Sequence, residues 1–219
     1  MKLICGILVL LVLQNCAPSR YVKPLTKGQK AISFTFGGPL IKFGGAPIPI
    51  PFTTLGYGFG ITDDITVYGN LHTTSLLFGN AQTDLGATFN LYKKENTFGI
   101  TAAPSLQLAY NIRNKTGFRV WPSADVNAYF HLTKKPSYLY AGLNSWFELS
   151  TTKEHNETQQ KHIIPNIHLG YTVVKTKWQH QFEFKYLGLG MNNQPGVVDY
   201  IGVSGKGTLG LYYSLIRKF

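Results

Sequence analysis

The chain has 219 residues, 44% of them hydrophobic and 14% aromatic, but only 14% charged. Soluble domains carry about 25% charged residues, so an ordinary water-coated surface is excluded, while the hydrophobic share excludes disorder. The formal net charge of +11 invites a nucleic-acid reading. It is rejected because no recognised fold signature or interleaved aromatic platform accompanies the charge.

In chain order, "MKLICGILVLLVLQNCAPSR" offers one basic residue, an apolar run from Leu3 to Leu13, then a polar break and Cys16. The run is too short to cross a bilayer and has the anatomy of a signal peptide, expected over residues 1–15. Leu13-Gln14-Asn15-Cys16 resembles a bacterial lipoprotein box, which implies lipidation of Cys16; Asn15 departs from the small residue usual there. Cys5 lies inside the signal, so the mature chain is expected to hold no disulfide. Residues 16–29 then read as a periplasmic, lipid-anchored segment leading to a single domain over 30–219.

Beyond that segment no helical periodicity persists past two turns. Period-two stretches follow one another at 30–36, 52–62, 65–75, 82–92, 97–110, 119–132, 138–149, 162–174, 177–187 and 203–219. Their lengths suit tilted membrane-crossing strands. Tight polar turns at Asp63-Asp64, Lys93 to Asn96, Thr133 to Ser137 and Lys175-Thr176 alternate with longer connections. The expectation is an all-β protein: a closed antiparallel transmembrane β-barrel of about ten strands, with short periplasmic turns and longer extracellular loops, in a bacterial outer membrane.

The strand faces support lipid rather than water outside. In 119–132, Pro122, Ala124, Val126, Ala128, Phe130 and Leu132 oppose Ser123, Asp125, Asn127, Tyr129 and His131. In 177–187, Trp178, His180, Phe182, Phe184 and Tyr186 oppose Gln179, Gln181, Glu183 and Lys185. Polar faces rich in Gly, Ser, Thr and Asn suit a confined polar interior. The last strand alternates through Leu211, Tyr213, Leu215 and Phe219, with Ile216 out of type. A strand reaching the final residue must be held by pairing, which ring closure supplies.

That terminal alternation ending in Phe resembles the insertion signal of bacterial outer-membrane proteins, and it implies recognition by the barrel assembly machinery. Arg217 stands where an aromatic is usual. With the lipobox and the "RYVKPLTKGQKA" stretch, the chain resembles small outer-membrane β-barrel proteins of the Bacteroidota carrying a lipoprotein-type signal.

Basic residues gather at the expected periplasmic end, among them Lys27, Lys30, Lys93, Lys94, Lys134, Lys135, Lys175, Lys177 and Lys218. Each is worth about 1 kcal/mol of attraction to anionic headgroups, so phospholipids inside and lipopolysaccharide outside are the expected lipid partners. No cofactor or metal is expected: His72, His131 and His168 fall on polar faces of three separate strands, without ligand spacing.

The weak catalytic candidates are His72, placed directly across from Asp84 if the 76–81 loop folds about Phe78, and Thr74 two residues along. A carboxylate on imidazole Nδ1 is the base half of a hydrolytic triad, and barrel acyl hydrolases acting on lipid A use a His with a nearby Ser. The spacing here, His-x-Thr or His-x-x-Ser (Ser75), departs from that pattern.

Inward charges at Asp125, Glu148, Glu183 and Lys185, with His131 and His168, read as a lumen-facing polar network. The expected protein is thus a non-enzymatic barrel with a polar plugged lumen and a structural, assembly or surface-complex role. The alternatives are a narrow pore for small solutes and an acyl hydrolase acting on lipid A or phospholipid through His72.

Overall fold

The computed structural model describes residues 21–94, 97–113, 116–133, 135–152, 158–193 and 198–219. The signal segment, Cys16 and Lys134 lie outside the described residues. Period-two sequence becomes strand throughout: β1 (Lys30–Phe43), β2 (Ala46–Pro49), β3 (Phe52–Thr62), β4 (Ile65–His72), β5 (Asn80–Lys94), β6 (Phe98–Asn111), β7 (Thr116–Phe130), β8 (Tyr138–Phe147), β9 (Ile163–Val174), β10 (Trp178–Asn192) and β11 (Lys206–Lys218). One short helix, α1 (Thr73–Leu77), interrupts the β4–β5 connection.

Each barrel strand pairs antiparallel with its neighbours, and β11 returns to pair with β1. Ala31 lies opposite Lys218 and Pro39 opposite Gly210; backbone bonds between Lys30 and Phe219 run both ways, at 3.1 and 2.9 Å. The terminal strand is therefore held on both edges, and the ring has no free edge to fray or aggregate. Of the eleven strands β2 pairs only with β1, which leaves ten in the closed wall.

Short turns join β3–β4, β5–β6, β7–β8 and β9–β10 at one end, the turn end, where both barrel termini also lie. At the opposite, loop end β1 runs on past the wall. Its residues 40–43 fold onto β2 through Gly44-Gly45, both at positive φ, as a two-residue hairpin turn requires. Ile201 N–H donates to Leu40 O and Lys42 N–H to Asp199 O, both at 2.9 Å, so the last loop lines the upper edge of β1.

Burial is inverted relative to a soluble protein. Leu143 and Leu169 are 61% and 57% exposed, while Thr66, Thr88 and Thr101 are wholly buried. Outward apolar side chains on every barrel strand form a belt that only lipid can cover without cost, and the polar positions face a closed interior.

Two local departures from simple alternation have identifiable causes. The 65–75 strand ends at His72 because Thr73–Leu77 turn into α1. In β5, where alternation from Asp84, Thr88 and Asn90 would turn Tyr92 inward, a bulge between Asn90 and Tyr92 puts Tyr92 opposite Ile100, and Tyr92 is exposed outside. A bulge adds one residue and flips the faces beyond it.

Inward tyrosines lie over inward glycines on the next strand. Tyr129 is the partner of Gly99 and Tyr140 of Gly170. A Cβ on those glycines would lie 2.3 and 2.2 Å from the facing ring. The rings thus fill space that the missing side chains vacate, which pins the register as well as the packing.

Candidate functional site: the filled barrel lumen

The lumen is filled at three levels, the lower two sharing Tyr140. At the turn end, residues 21–27 precede β1. Expected as part of a periplasmic tail, they turn back into the barrel mouth. Tyr21, Val22 and Leu25 are buried there. Tyr21 and Leu25 pack on Ala31, Tyr68 and Ile216, and Val22 on Tyr129, Tyr138 and Tyr140.

The wall's inward threonines hold this segment's backbone. Thr88 and Thr101 hydroxyls donate to Tyr21 O and Val22 O at 2.8 Å, and Leu25 N–H donates to Thr66 Oγ1 at 2.7 Å. Lys27 N–H reaches Asp63 Oδ1 at 2.9 Å. An irregular strand inside a barrel must satisfy its backbone through side chains, and these hydroxyls do so.

Lys23 extends from the segment beneath two rings, 4.9 Å from the Tyr129 centroid and 5.5 Å from that of Tyr138. Its Nζ donates to Nε2 of His131 at 2.9 Å. Burial, then the cations of Lys93 and Lys218, lower the Lys23 pKa to about 8. Burial and the Lys23 charge likewise lower that of His131, a residue just past β7.

At the waist, Glu183 and Lys185 form an ion pair at 3.3 Å with side chains 1% and 2% exposed. Tyr140 Oη donates to Glu183 Oε2 at 2.7 Å, and Lys185 approaches the Tyr212 ring at 5.9 Å. His168, the cross-strand partner of Lys185, meets Asn127 Oδ1 at 2.6 Å. Asn144 Nδ2 donates to Asp125 Oδ2 at 3.1 Å, and Asn144 Oδ1 accepts from Asn166 Nδ2 at 2.8 Å.

Glu148 does not join this group. It lies just past β8, where Oε2 accepts from Trp121 Nε1 at 2.9 Å and Oε1 from Ser150 N–H at 2.8 Å.

At the loop end, His72 Nε2 donates to Asp84 Oδ2 at 2.9 Å, both groups buried. The contact expected from sequence is present, but through the other ring nitrogen and in a different register. The Cα partner of Asp84 is Asn70, which also donates to Asp84 Oδ1, and His72 lies opposite Thr54. The helical turn of α1 takes up the connecting residues unevenly, moving the pairing by two positions.

Thr74, on α1, is turned toward β3. Its hydroxyl accepts from Thr53 N–H at 2.8 Å and donates to Pro51 O at 3.2 Å. Ser75 donates to Gln82 Oε1 at 2.7 Å. Both hydroxyls thus bond groups other than the imidazole.

On β11, Leu211, Tyr213 and Leu215 share the outward face, with Phe219 exposed just past the strand, while Tyr212, Ser214 and Ile216 are buried inside. His180 is also outward, bonded through Nδ1 to Tyr213 Oη at 2.9 Å. Among the described residues no three His, Cys, Asp or Glu side chains are grouped to hold a metal.

No family model matches the sequence, and no curated protein matches it. Solved structures do. An outer-membrane channel from Pseudomonas putida F1 aligns over 93% of this chain and 100% of its own, with a TM-score of 0.51 at 10% identity. The fold is that of an outer-membrane β-barrel. The translocator domain of the autotransporter NalP from Neisseria meningitidis aligns over 100% of this chain and 95% of its own, at TM-score 0.45 and 10% identity. The KdgM porin aligns over 86% and 99%, at TM-score 0.45 and 7% identity. Fold and apolar belt together place the protein in the bacterial outer membrane, and the outer-membrane convention sets the turn end in the periplasm.

Proposed function

We propose that this protein is a closed outer-membrane barrel, not an enzyme, with a structural, assembly or surface-complex role. The observation that carries this reading is the filled lumen: residues 21–27 occupy the turn end and the Glu183–Lys185 pair the waist. A bore of about ten strands is little wider than its own side chains, so each filled layer blocks ions. Purified protein in planar bilayers at neutral pH is expected to show no resolvable conductance steps. Steady steps altered by Glu183→Gln would replace this reading with the narrow solute pore, which the polar lumen and the likeness to a channel favour as the second reading.

The partners in this proposal are lipids and the assembly machinery. Exposed Lys30, Lys94, Lys135, Lys175 and Lys177 ring the turn end, where anionic headgroups would meet them. Lipopolysaccharide would face the loop end, and the alternation on β11 would serve insertion. Lipidation at Cys16 would anchor the chain just upstream of the buried segment; intact mass should show a diacylglycerol-modified chain beginning at that residue, and an unmodified mature chain would rule it out.

A further inference from the structure

We propose that the N-terminal segment is an acid-released plug: protonation of His131 sets a second cation against the Lys23 ammonium and drives residues 21–25 out of the barrel mouth. The inference rests on the closed-lumen reading and concerns how that closure is regulated. Lys23 Nζ lies 2.9 Å from His131 Nε2. An ammonium can only donate, so this bond needs a neutral imidazole with Nε2 free to accept. Once Nε2 carries a proton, two donors and two positive charges stand at hydrogen-bond distance.

Among the described residues the surroundings do not neutralise that charge. Lys93 from β5 and Lys218 from β11 act on Lys23 as further cations. The phenols of Tyr129 and Tyr138 face it with their rings. Backbone groups of Lys135 and Ser137 bond the His131 ring and favour its proton, but burial and Lys23 outweigh them. The acids of the β3–β4 turn are set toward other groups: Asp63 takes the Lys27 backbone N–H, and Asp64 accepts from Asn90 Nδ2 at 2.8 Å.

Both titrations act in one direction. Docking lowers the His131 pKa below 6.5, so its contribution is complete above the undocked value and is lost as pH falls through the docked one. Docking lowers the Lys23 pKa from 10.5 to about 8, so docking also strengthens as pH climbs from the lower value to the higher. Acid loosens the plug and alkali tightens it.

A pivot is present. Gly28, at φ 76°, donates to Gly60 O at 2.8 Å, and Gly60 donates to Gln29 O at 2.9 Å. Residues 28–29 therefore stay on β3 while the segment before them swings.

The test uses the full chain in phospholipid nanodiscs and follows exchange of the Leu25 amide, whose partner is a wall hydroxyl. Rates are normalised to intrinsic exchange at about pH 7.5 and about pH 5. Leu25 protection is expected to fall on acidification in the parent protein, while strand amides of β6 stay protected. His131→Gln, which accepts from Lys23 without titrating, should hold its protection at the lower pH, and Lys23→Met, which removes the Lys23 charge but not the burial of His131, should lose less protection than the parent. Unchanged protection in the parent, or an equal fall in His131→Gln, overturns the proposal. Conductance steps already present at neutral pH would sink the closed-lumen reading instead, and Leu25 exchange would still report on the plug.

Discussion

The turn end and the waist of this lumen are closed by different means. At the turn end the filling comes from chain outside the wall: Tyr21, Val22 and Leu25, docked on inward Ala31, Tyr68 and Ile216. At the waist and the loop end the wall fills itself, through Glu183–Lys185, Tyr140, Asn127–His168 and His72–Asp84. A segment joined to the wall through one short turn can leave while the barrel stays whole. Side chains of the wall cannot leave without unfolding it. The waist is therefore expected to set barrel stability and the turn end to set lumen accessibility.

The largest effect that could break this contrast is at the waist. Lys185→Met removes the cation 3.3 Å from buried Glu183 and leaves the Tyr140 hydroxyl donating to it, and removing one member of a buried pair costs about 3–5 kcal/mol. Urea unfolding in micelles, followed by heat-modifiable gel migration, should show a loss of that size; a neutral result would mean the pair is solvated. Leu25→Ala should cost about 2–5 kcal/mol of docking, seen as faster exchange of residues 21–26, with the urea midpoint of the barrel unchanged. A barrel that melts earlier with Leu25→Ala would erase the distinction between the two regions. The smallest effect is expected at the loop end: His72→Ala leaves Asp84 its bond from Asn70, a loss of about 1.5–3 kcal/mol. Incubation with lipid A or phospholipid should release no fatty acid in either form, and release abolished by His72→Ala would establish a hydrolase.

Much of this was legible in the sequence. Alternation located every wall strand and, except past the β5 bulge, its outward face, because lipid on one side and a polar lumen on the other impose opposite demands on neighbouring residues. The His72–Asp84 contact was legible as a hairpin pairing, but its register was not. Register depends on how the connection uses its residues, and α1 uses them helically. The inward charges were legible singly; which of them meet depends on which strands are neighbours at the same height, and that separated Glu148 from Glu183 and Lys185.

The docked segment escaped because "YVKPLTKG" has no periodicity, and its partners lie far along the chain. One trace was present. Ile216 breaks the polar face of the last strand, and it is apolar there because Tyr21 and Leu25 lie against it.

The sequence by itself determined the architecture: strand number, strand faces, short and long connections, and a last strand that must pair with the first. These follow from local, period-two demands that each residue meets where it stands. The tertiary structure alone decided what fills the ring. The Lys23–His131 bond spans 108 residues, and the Tyr140–Glu183 bond spans 43, its partners flanking Gly170 of β9 in one cross-strand row; neither separation can be read as a spacing, because strand order, register and the docking of the segment bring these groups together.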